Sequence, residues 1–202
     1  SIAIGYTING KHNDVVGNYS IAVGYGNKIT GNNSGAFGDP TIIESSNSYS
    51  VGNNNTITGE NSFVFGNKAT ASGENSLVLG NNSTVSAQNG VALGNNAVVA
   101  HKNAVAIGEG SKTTADNTVS VGSESNKRRI TNVADAEEDN DAVNYSQLKS
   151  YVATNAGGAN TQEVLKLRSD LNDLDSRVSK VGASAGALAA LKPMEFNPEN
   201  KW

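Results

Sequence analysis

The sequence predicts a mainly β protein in which a parallel β-solenoid of 14-residue repeats is followed by a helical coiled coil. The first observation behind this prediction is a glycine that returns every 14 residues, a strict period typical of identical stacked units. The second is a heptad pattern of apolar residues toward the C-terminus, which is typical of coiled coils. The marker glycines are Gly24, Gly38, Gly52, Gly66, Gly80, Gly94, Gly108 and Gly122, and Gly5 lies 19 residues before the first of them.

A short strand is predicted ahead of each marker glycine, as in residues 62–66, Ser-Phe-Val-Phe-Gly. The phrase alternates and is rich in β-branched and aromatic residues. Its first and third apolar positions are large and share one face, whereas the small residue between them points the other way. We expect the large row to fill the solenoid interior and the small row to form a subunit interface. The large row includes Ile21, Val23, Phe63, Phe65, Leu77, Leu79, Val105 and Ile107, and the small row is Ala22, Ala36, Ser50, Val64, Val78, Ala92, Ala106 and Ser120.

The second half of each repeat usually carries an apolar residue five positions after the marker glycine and always an asparagine nine positions after it. The apolar residue, for example Ile29 or Val85, predicts a second short strand. Asparagine tolerates a left-handed backbone and can hydrogen-bond its own turn or the asparagine above, so it predicts a corner. About nine rungs spaced roughly 4.8 Å apart would give a rod of roughly 40 Å. The corner asparagines are Asn33, Asn47, Asn61, Asn75, Asn89, Asn103 and Asn117.

The composition narrows the class of protein further. The chain has 202 residues, a net charge of -4 and only 5% aromatic residues, so one rung has too little apolar surface to be stable alone. The acidic balance, with a pI of about 5.2, argues against nucleic acid as a partner. The lack of cysteine fits export without a disulfide framework. Ser1 falls within a repeat phrase, so we expect a processed or cut N-terminus.

The repeat stops after Gly122 and gives way to two charged runs. A basic cluster at 127–129 is followed by an acidic run at 135–141, and residues 142–149 then begin to look helical. Two interpretations of the charged runs stay open. They are a solvated linker, or they form salt bridges between subunits where the rod narrows into a stalk.

A heptad pattern beginning at Val164 predicts a coiled coil of about three and a half heptads. Asn160 continues the series backwards as a polar core position of the kind that sets register. We expect a local break at Gly157–Gly158, where the phase fails, and the end of the helix at Lys192–Pro193. The heptad residues are Val164, Leu167, Leu171, Leu174, Val178, Val181, Ala185 and Leu188.

Together these features resemble the trimeric autotransporter adhesins, most closely the group with a Yersinia-adhesin-like head. The resemblance rests on the Ser-x-Ala-x-Gly repeats, on residues 128–136 (Arg-Arg-Ile-Thr-Asn-Val-Ala-Asp-Ala) with 141–149 (Asp-Ala-Val-Asn-Tyr-Ser-Gln-Leu-Lys), and on the heptad. It covers essentially the whole chain, and residues 181–196 are similar to the start of the family's membrane anchor.

The resemblance implies a left-handed parallel β-roll head, packed as a homotrimer, at the surface of a Gram-negative bacterium. It divides the chain into a head at 1–125, a neck at 126–149, a stalk and anchor helix at 150–190, and the start of an outer-membrane barrel strand at 191–202. It implies that neck residues of one subunit cross to its neighbours and that the stalk is a trimeric parallel coiled coil. The neck residues are Arg128, Asn132, Asp141, Asn144 and Gln147, and the coiled-coil core residues are Val164, Leu167, Leu171, Leu174, Val178 and Val181.

The sequence gives no sign of an enzyme, a cofactor or a metal site. His12 and His101 are the two histidines, and they lie on different rungs with no carboxylate or cysteine at a metal-ligand spacing. No nucleophile elbow, catalytic triad signature or phosphate loop occurs. We therefore predict no catalytic, cofactor-binding or metal-binding residue.

Receptor contact is expected from bulky or charged residues that interrupt the small polar background of the rungs. A five-residue insertion around residues 6–19 is the strongest candidate region, because aromatic residues are favoured as interface anchors. The alternative is that the tyrosines cap an open solenoid end. The candidates are Tyr6, His12, Tyr19, Tyr25, Lys68, His101 and Lys102.

The predicted function is that of a bacterial surface adhesin whose trimeric head binds a host protein multivalently. By resemblance, the receptor is collagen, fibronectin, laminin or a carcinoembryonic-antigen-related cell adhesion molecule. The alternative is a self-associating surface protein that drives autoaggregation and biofilm formation without a host ligand. An ice-binding solenoid is disfavoured, because it needs a regular threonine array.

Overall fold

The computed structural model describes residues 1–156 and 159–191, which belong to two compact units. The first unit is Ser1–Arg129 and the second is Ile130–Trp202. Within the described residues the first unit consists of short β-strands and turns, and the second contains two α-helices.

The first unit is a parallel β-solenoid, as predicted, in which each rung except the last two contributes one strand to each of two sheets. In the described residues, the first sheet has nine strands and the second has seven. The first sheet contains β1 (Ile2–Gly5), β3 (Ile21–Gly24), β5 (Gly35–Gly38), β7 (Tyr49–Val51), β9 (Phe63–Phe65), β11 (Leu77–Leu79), β13 (Val91–Leu93), β15 (Val105–Ile107) and β16 (Val119–Ser120). The second contains β2 (Asp14–Val15), β4 (Lys28–Ile29), β6 (Ile42–Ile43), β8 (Thr56–Ile57), β10 (Thr70–Ala71), β12 (Thr84–Val85) and β14 (Val98–Val99).

The register of the strands repeats the sequence period. Val64 pairs with Val78 on the next rung, and Thr56 pairs with Thr70. At the first rung, Gly5 instead pairs with Gly24. The shift of 19 residues there shows that the five extra residues loop out while the sheet stays in register.

The predicted assignment of the two rows is wrong, because the small row fills the interior and the large row points outward. In β9, Val64 is 0% exposed, whereas Phe63 and Phe65 on either side of it are 42% and 56% exposed. Six of the eight small-row residues lie in the hydrophobic core, and a seventh, Ser50, is also buried. The core members of the row are Ala22, Ala36, Val64, Val78, Ala92 and Ala106.

The second sheet explains this inversion. Its inward position, five residues after the marker glycine, carries Ile29, Ile43 and Ile57, which are fully buried. Strands this short leave a narrow space between the two sheets, and a large row on one side requires a small row opposite it. Two large rows would overpack the interior, so the larger side chains of the first sheet remain outside.

The marker glycines are required by the close stacking of the rungs. At Gly52, which has a φ of 123°, an added Cβ atom would lie 1.9 Å from the carbonyl oxygen of Gly66. At Gly66 the same atom would lie 2.2 Å from the oxygen of Gly80. Any side chain here would displace the neighbouring backbone.

The corner asparagines adopt the left-handed backbone that the sequence predicted, and several stack as a ladder. Asn89 has a φ of 54°, and its side-chain amide donates to the Oδ1 atom of Asn103 at 2.8 Å. A second left-handed corner, two positions after the marker glycine, was not predicted. It contains Gly26, Asn54, Lys68, Asn82, Asn96 and Gly110.

The second unit contains α1 (Tyr145–Ala156) and α2 (Ala159–Ala190). The predicted heptad lies on α2, and its core residues are all exposed in the single chain, with Leu171 at 64%. The predicted break at Gly157–Gly158, the side chain of Asn160, the helix end at Lys192–Pro193 and the barrel strand, beyond its first residue, lie outside the described residues.

Candidate receptor-binding surface

The inserted residues form a small hairpin at one end of the solenoid. Residues 6–13 connect β1 to β2, whereas on the next rung residues 25–27 alone connect β3 to β4. Ile8 and Lys11 exchange two backbone hydrogen bonds of 3.2 and 3.0 Å. Between them, Asn9 and Gly10 have φ values of 51° and 74°, as in a type I′ turn. Asn-Gly is the sequence signal for this hairpin, and the sequence reasoning missed it.

Two tyrosines from successive rungs stack beside this hairpin. The rings of Tyr6 and Tyr25 are 5.3 Å apart with an interplanar angle of 9°. The Tyr25 hydroxyl donates to the carbonyl oxygen of Ile8 at 3.2 Å, which ties the stack to the hairpin. Tyr6 is still 55% exposed, so the pair presents an aromatic surface to solvent.

A shallow pocket of about 340 Å³ lies between the hairpin and the following corners. Lys11 and Asp14 give it charge of both signs, His12 adds an imidazole ring, and Tyr25 and Pro40 give it apolar surface. The sequence reasoning proposed His12 and Tyr25 but missed the other three. We use the name tip cluster for Tyr6, Lys11, His12, Asp14 and Tyr25.

The Asp39–Pro40 corner, which replaces the usual Gly-Asn turn, lies one rung beyond Tyr25 and hydrogen-bonds to the backbone of this tip-cluster residue. The Asp39 carboxylate accepts a hydrogen bond from the backbone N–H of Tyr25. The backbone N–H of Asp39 donates in turn to the Oδ1 atom of Asn53 at 2.8 Å. On the preceding rung, which contains Tyr25, the buried Oδ1 atom of Asn27 has no hydrogen-bond partner among the described residues.

The remaining receptor candidates are separate from the tip cluster. Tyr19 is 87% exposed and occupies the corner position that later rungs give to asparagine, with a φ of 54°. Lys68 lies at the other left-handed corner in the middle of the rod. His101 contacts the Thr113 hydroxyl at 3.0 Å, and the backbone N–H of Lys102 donates to Asp116 at 2.8 Å.

The exposed large row forms a continuous apolar surface along the first sheet, from the first rung of the solenoid to the last. We call this surface the apolar stripe. A monomeric protein rarely leaves a continuous apolar surface of this kind open to water. Its most exposed members are Ile2, Ile4, Phe37, Phe63, Phe65, Leu79, Ile107 and Val119.

The outward face of the second sheet carries a short run of threonines. Thr56, Thr70 and Thr84 pair in register on three successive rungs. Ile42 and Val98 replace threonine on the rungs at either end. The regular array therefore spans three rungs only.

The predicted neck residues form hydrogen bonds within their own chain. Asn144 caps α1, because its Oδ1 atom accepts from the backbone N–H of Gln147 at 2.9 Å. The Gln147 side chain accepts from the N–H of Ala136 at 2.8 Å and donates to its carbonyl oxygen at 3.1 Å. The extended segment before α1 is thereby fixed to the helix.

Asp141 closes the turn ahead of α1. Its carboxylate accepts from the backbone N–H groups of Glu137 and Glu138, both at 3.1 Å. These two hydrogen bonds, that of Glu137 first, hold the pKa of Asp141 below its usual value.

Arg128 and Asn132 have different positions from the other neck residues. The Arg128 guanidinium donates to Ser111 Oγ at 3.0 Å and to the carbonyl oxygens of Val121 at 3.0 Å and Glu109 at 2.6 Å. It closes the last rung of the solenoid. Asn132 adopts a left-handed backbone, with a φ of 61°.

No cluster of histidine, cysteine and carboxylate side chains that could hold a metal ion occurs among residues 1–156 and 159–191. Neither helix, over the part of the chain described, is long and apolar enough to cross a membrane.

The chain combines a repeat-built β-solenoid that carries an exposed apolar stripe with a helix that carries an exposed heptad, a combination typical of oligomeric proteins. A sequence model of the YadA head domain repeat matches residues 58–83, 71–97 and 102–125. A model of the coiled stalk of trimeric autotransporter adhesins matches residues 129–165. No match was found among the curated proteins.

Among solved structures, the chain is similar to the crystal structure of the collagen-binding domain of the Yersinia adhesin YadA. The two are 30% identical with a TM-score of 0.59, over 69% of this chain and 86% of that one. This chain belongs to the trimeric autotransporter adhesins. Members of this family are bacterial cell-surface proteins that form homotrimers.

Proposed function

We propose that the head of this chain binds host extracellular-matrix protein, with collagen the first ligand to test. The observation that carries the proposal is the 30% identity with a collagen-binding head over 86% of that domain. A head of stacked rungs offers a long, open surface, as a fibrous ligand requires. Fibronectin, laminin and carcinoembryonic-antigen-related adhesion molecules are the further receptors to compare.

Within the head, we place the principal contact at the tip cluster. Tyr6 and Tyr25 offer stacked aromatic surface, and Pro-rich extended chains dock on such surfaces. Lys11 and Asp14 beside them offer charges of both signs to a charged host chain. Side-wall contacts at Tyr19, Lys68, His101 and Lys102 would extend the contact area along the rod.

Multivalency supplies the strength of attachment in this proposal. The apolar stripe on the head and the exposed heptad on α2 each need a partner, and two further copies of the chain supply it. Three heads on one stalk raise the effective concentration of each site without a new contact. In this proposal an outer-membrane barrel anchor, which would begin within residues 191–202, holds the trimer at the cell surface.

The experiment is binding of the purified full chain to immobilised collagen, fibronectin, laminin and adhesion molecules, with light scattering to establish the oligomeric state. Saturable binding of a trimer to one of them supports the proposal. A well-formed trimer that binds none of them but aggregates with itself would overturn it in favour of a self-associating protein.

Two variants then locate the contact. Tyr6→Ala removes an exposed aromatic ring from the tip cluster, and Lys68→Ala removes a charge from the side wall. We expect the first to weaken binding by about tenfold or more, as for an aromatic anchor that contributes over ~1.4 kcal/mol, and the second to change it little. The opposite result would move the receptor site to the rod.

A further inference from the structure

We propose that Asn9 is a site of spontaneous deamidation and that the fold suppresses the same reaction at Asn89. The chain contains two Asn-Gly pairs, Asn9–Gly10 and Asn89–Gly90. Glycine after asparagine favours the reaction, because it has no side chain to hinder the attacking nitrogen. The two pairs have the same intrinsic chemistry and lie in different surroundings.

The reaction needs only water. The backbone nitrogen of Gly10 attacks Cγ of Asn9, the bond from Cγ to Nδ2 breaks, and ammonia leaves with the proton from the glycine nitrogen. The resulting five-membered succinimide is opened by water at either carbonyl, which yields aspartate or isoaspartate. One water is consumed, one ammonia is released, and nothing is oxidised or reduced.

The tip hairpin leaves both reacting groups free. Among the hydrogen bonds of the described residues, neither the Asn9 side chain nor the Gly10 N–H has a partner. No atom lies within 4 Å of the point where a Gly10 side chain would begin, and both residues are exposed. Two backbone hydrogen bonds and one exposed hydrogen bond from the Tyr25 hydroxyl to Ile8 close the hairpin outside the sheet ladders, so it opens at lower cost than a rung of the solenoid.

Asn89 is also exposed, and the Gly90 N–H likewise has no hydrogen-bond partner among the described residues, but the Asn89 side chain is held at both ends and Gly90 is buried. The Asn89 side chain donates to Asn103 at 2.8 Å and accepts from Asn75 at 3.1 Å. Its backbone N–H donates to Glu74 at 2.9 Å, and Gly90 is buried with its carbonyl oxygen bonded to Leu77 at 3.0 Å. The reaction at this site requires the ladder and the rung to open together.

The consequence is a change of charge confined to the tip. Deamidation replaces a neutral amide with a carboxylate next to Lys11 and His12, and isoaspartate adds a methylene to the backbone of the turn. The tip of an old protein would thus be more acidic than that of a new one. The rungs of the rod would keep their asparagines.

The experiment is incubation of the full chain at mildly alkaline pH, with peptide mass spectrometry and enzymatic detection of isoaspartate. We expect Asn9 to convert faster than Asn89 by more than about tenfold, because that ratio needs only ~1.4 kcal/mol of difference in opening free energy. In concentrated urea the two rates should converge. Equal rates in the folded protein, or a faster Asn89, would overturn the proposal.

A ladder variant gives a second, independent test. Asn103→Gly keeps the left-handed corner backbone and removes one of the two ladder partners of Asn89. We expect deamidation at Asn89 to accelerate severalfold in this variant while the rate at Asn9 is unchanged. An unchanged rate at Asn89 would contradict the role given to the ladder.

Discussion

The head and the stalk helix differ in whether a single chain buries their apolar residues. In the head, a single chain builds a core, because Val64, Ile57 and their equivalents on the internal rungs are fully buried between the two sheets. In the stalk, Leu171 and the other large heptad residues of α2 are all more than half exposed in the single chain. The head therefore contains a packed interior of its own, whereas the stalk gains its interior from other copies.

Most buried polar residues of the head are likewise satisfied within a single chain. The head buries a row of serines from Ser20 to Ser76, in which the backbone N–H of each serine after the first donates to the hydroxyl of the serine one rung before it, as from Ser48 to Ser34 at 3.3 Å and from Ser62 to Ser48 at 3.2 Å. Such internal ladders satisfy the buried polar groups without a partner chain. A solenoid can thus be highly polar in composition and still satisfy most of its buried polar groups, with Asn27 Oδ1 the exception among the described residues.

The largest effect is expected from filling the space between two rungs of the head. In Gly52→Ala the new Cβ atom would lie 1.9 Å from the oxygen of Gly66. We expect a loss of about 3 kcal/mol or more in the free energy of unfolding, measured in urea titrations by the β-sheet circular dichroism signal. Gly110→Ala is the matched control, because Gly110 has a φ of 65° and open space around it. It should cost only about 1–2 kcal/mol, and equal losses would refute the stacking argument.

A charge in the heptad should separate the two regions. In Leu171→Asp a carboxylate enters the proposed core of the coiled coil, and we expect trimers to dissociate at low concentration while the β-sheet signal persists. Sedimentation velocity measures the first effect and circular dichroism the second. Asn172→Asp, one residue away and outside the heptad, should leave the trimer intact. A fully trimeric Leu171→Asp protein would mean that the head and neck alone hold the assembly.

A smaller gain in stability is expected at the second left-handed corner. Lys68 has a φ of 57°, a conformation that asparagine adopts more readily. We expect Lys68→Asn to raise the free energy of unfolding by about 1 kcal/mol in urea titrations. Lys28→Asn, in strand β4, is the control and should give no gain. If Lys68→Asn destabilised the head, the strain assigned to this corner would be absent.

The smallest effect concerns the turn at Asp141. The hydrogen bonds from Glu137 and Glu138 lower the pKa of its carboxyl, so ionised Asp141 stabilises the folded neck. This contribution is present above the ordinary pKa of an aspartate and is lost as the pH falls through the depressed value. We expect the melting temperature of the helical signal to fall less in acid in Asp141→Ala than in the parent. The same acid dependence in both proteins would contradict this.

The 14-residue period of the sequence predicted the rungs and the asparagine corners, because these depend on local backbone chemistry. The left-handed φ at Asn89 follows from the residue itself. Which row faces inward could not be predicted from alternation, because a period of two places Val64 and Phe65 on opposite faces without saying which is inside. The choice depends on the size of Ile57 and its equivalents across the interior, a contact between strands that are separate in sequence.

The candidate site was predicted in part. The insertion drew attention to Tyr6, His12 and Tyr25, and the hairpin brings them together with Lys11 and Asp14. The hairpin itself could have been predicted from Asn9–Gly10. The stacking of two rings from different rungs could not, since it depends on where the insertion folds.

The central claim is that the first sheet presents its small row to the core and its large row to other subunits. Val64→Asp and Phe65→Asp, adjacent in strand β9, test it directly by circular dichroism and sedimentation velocity. We predict that Val64→Asp, with a charge in the core, loses the β-sheet signal, whereas Phe65→Asp keeps a folded head and forms a weaker trimer. A folded Val64→Asp head together with an unfolded Phe65→Asp head would contradict the account.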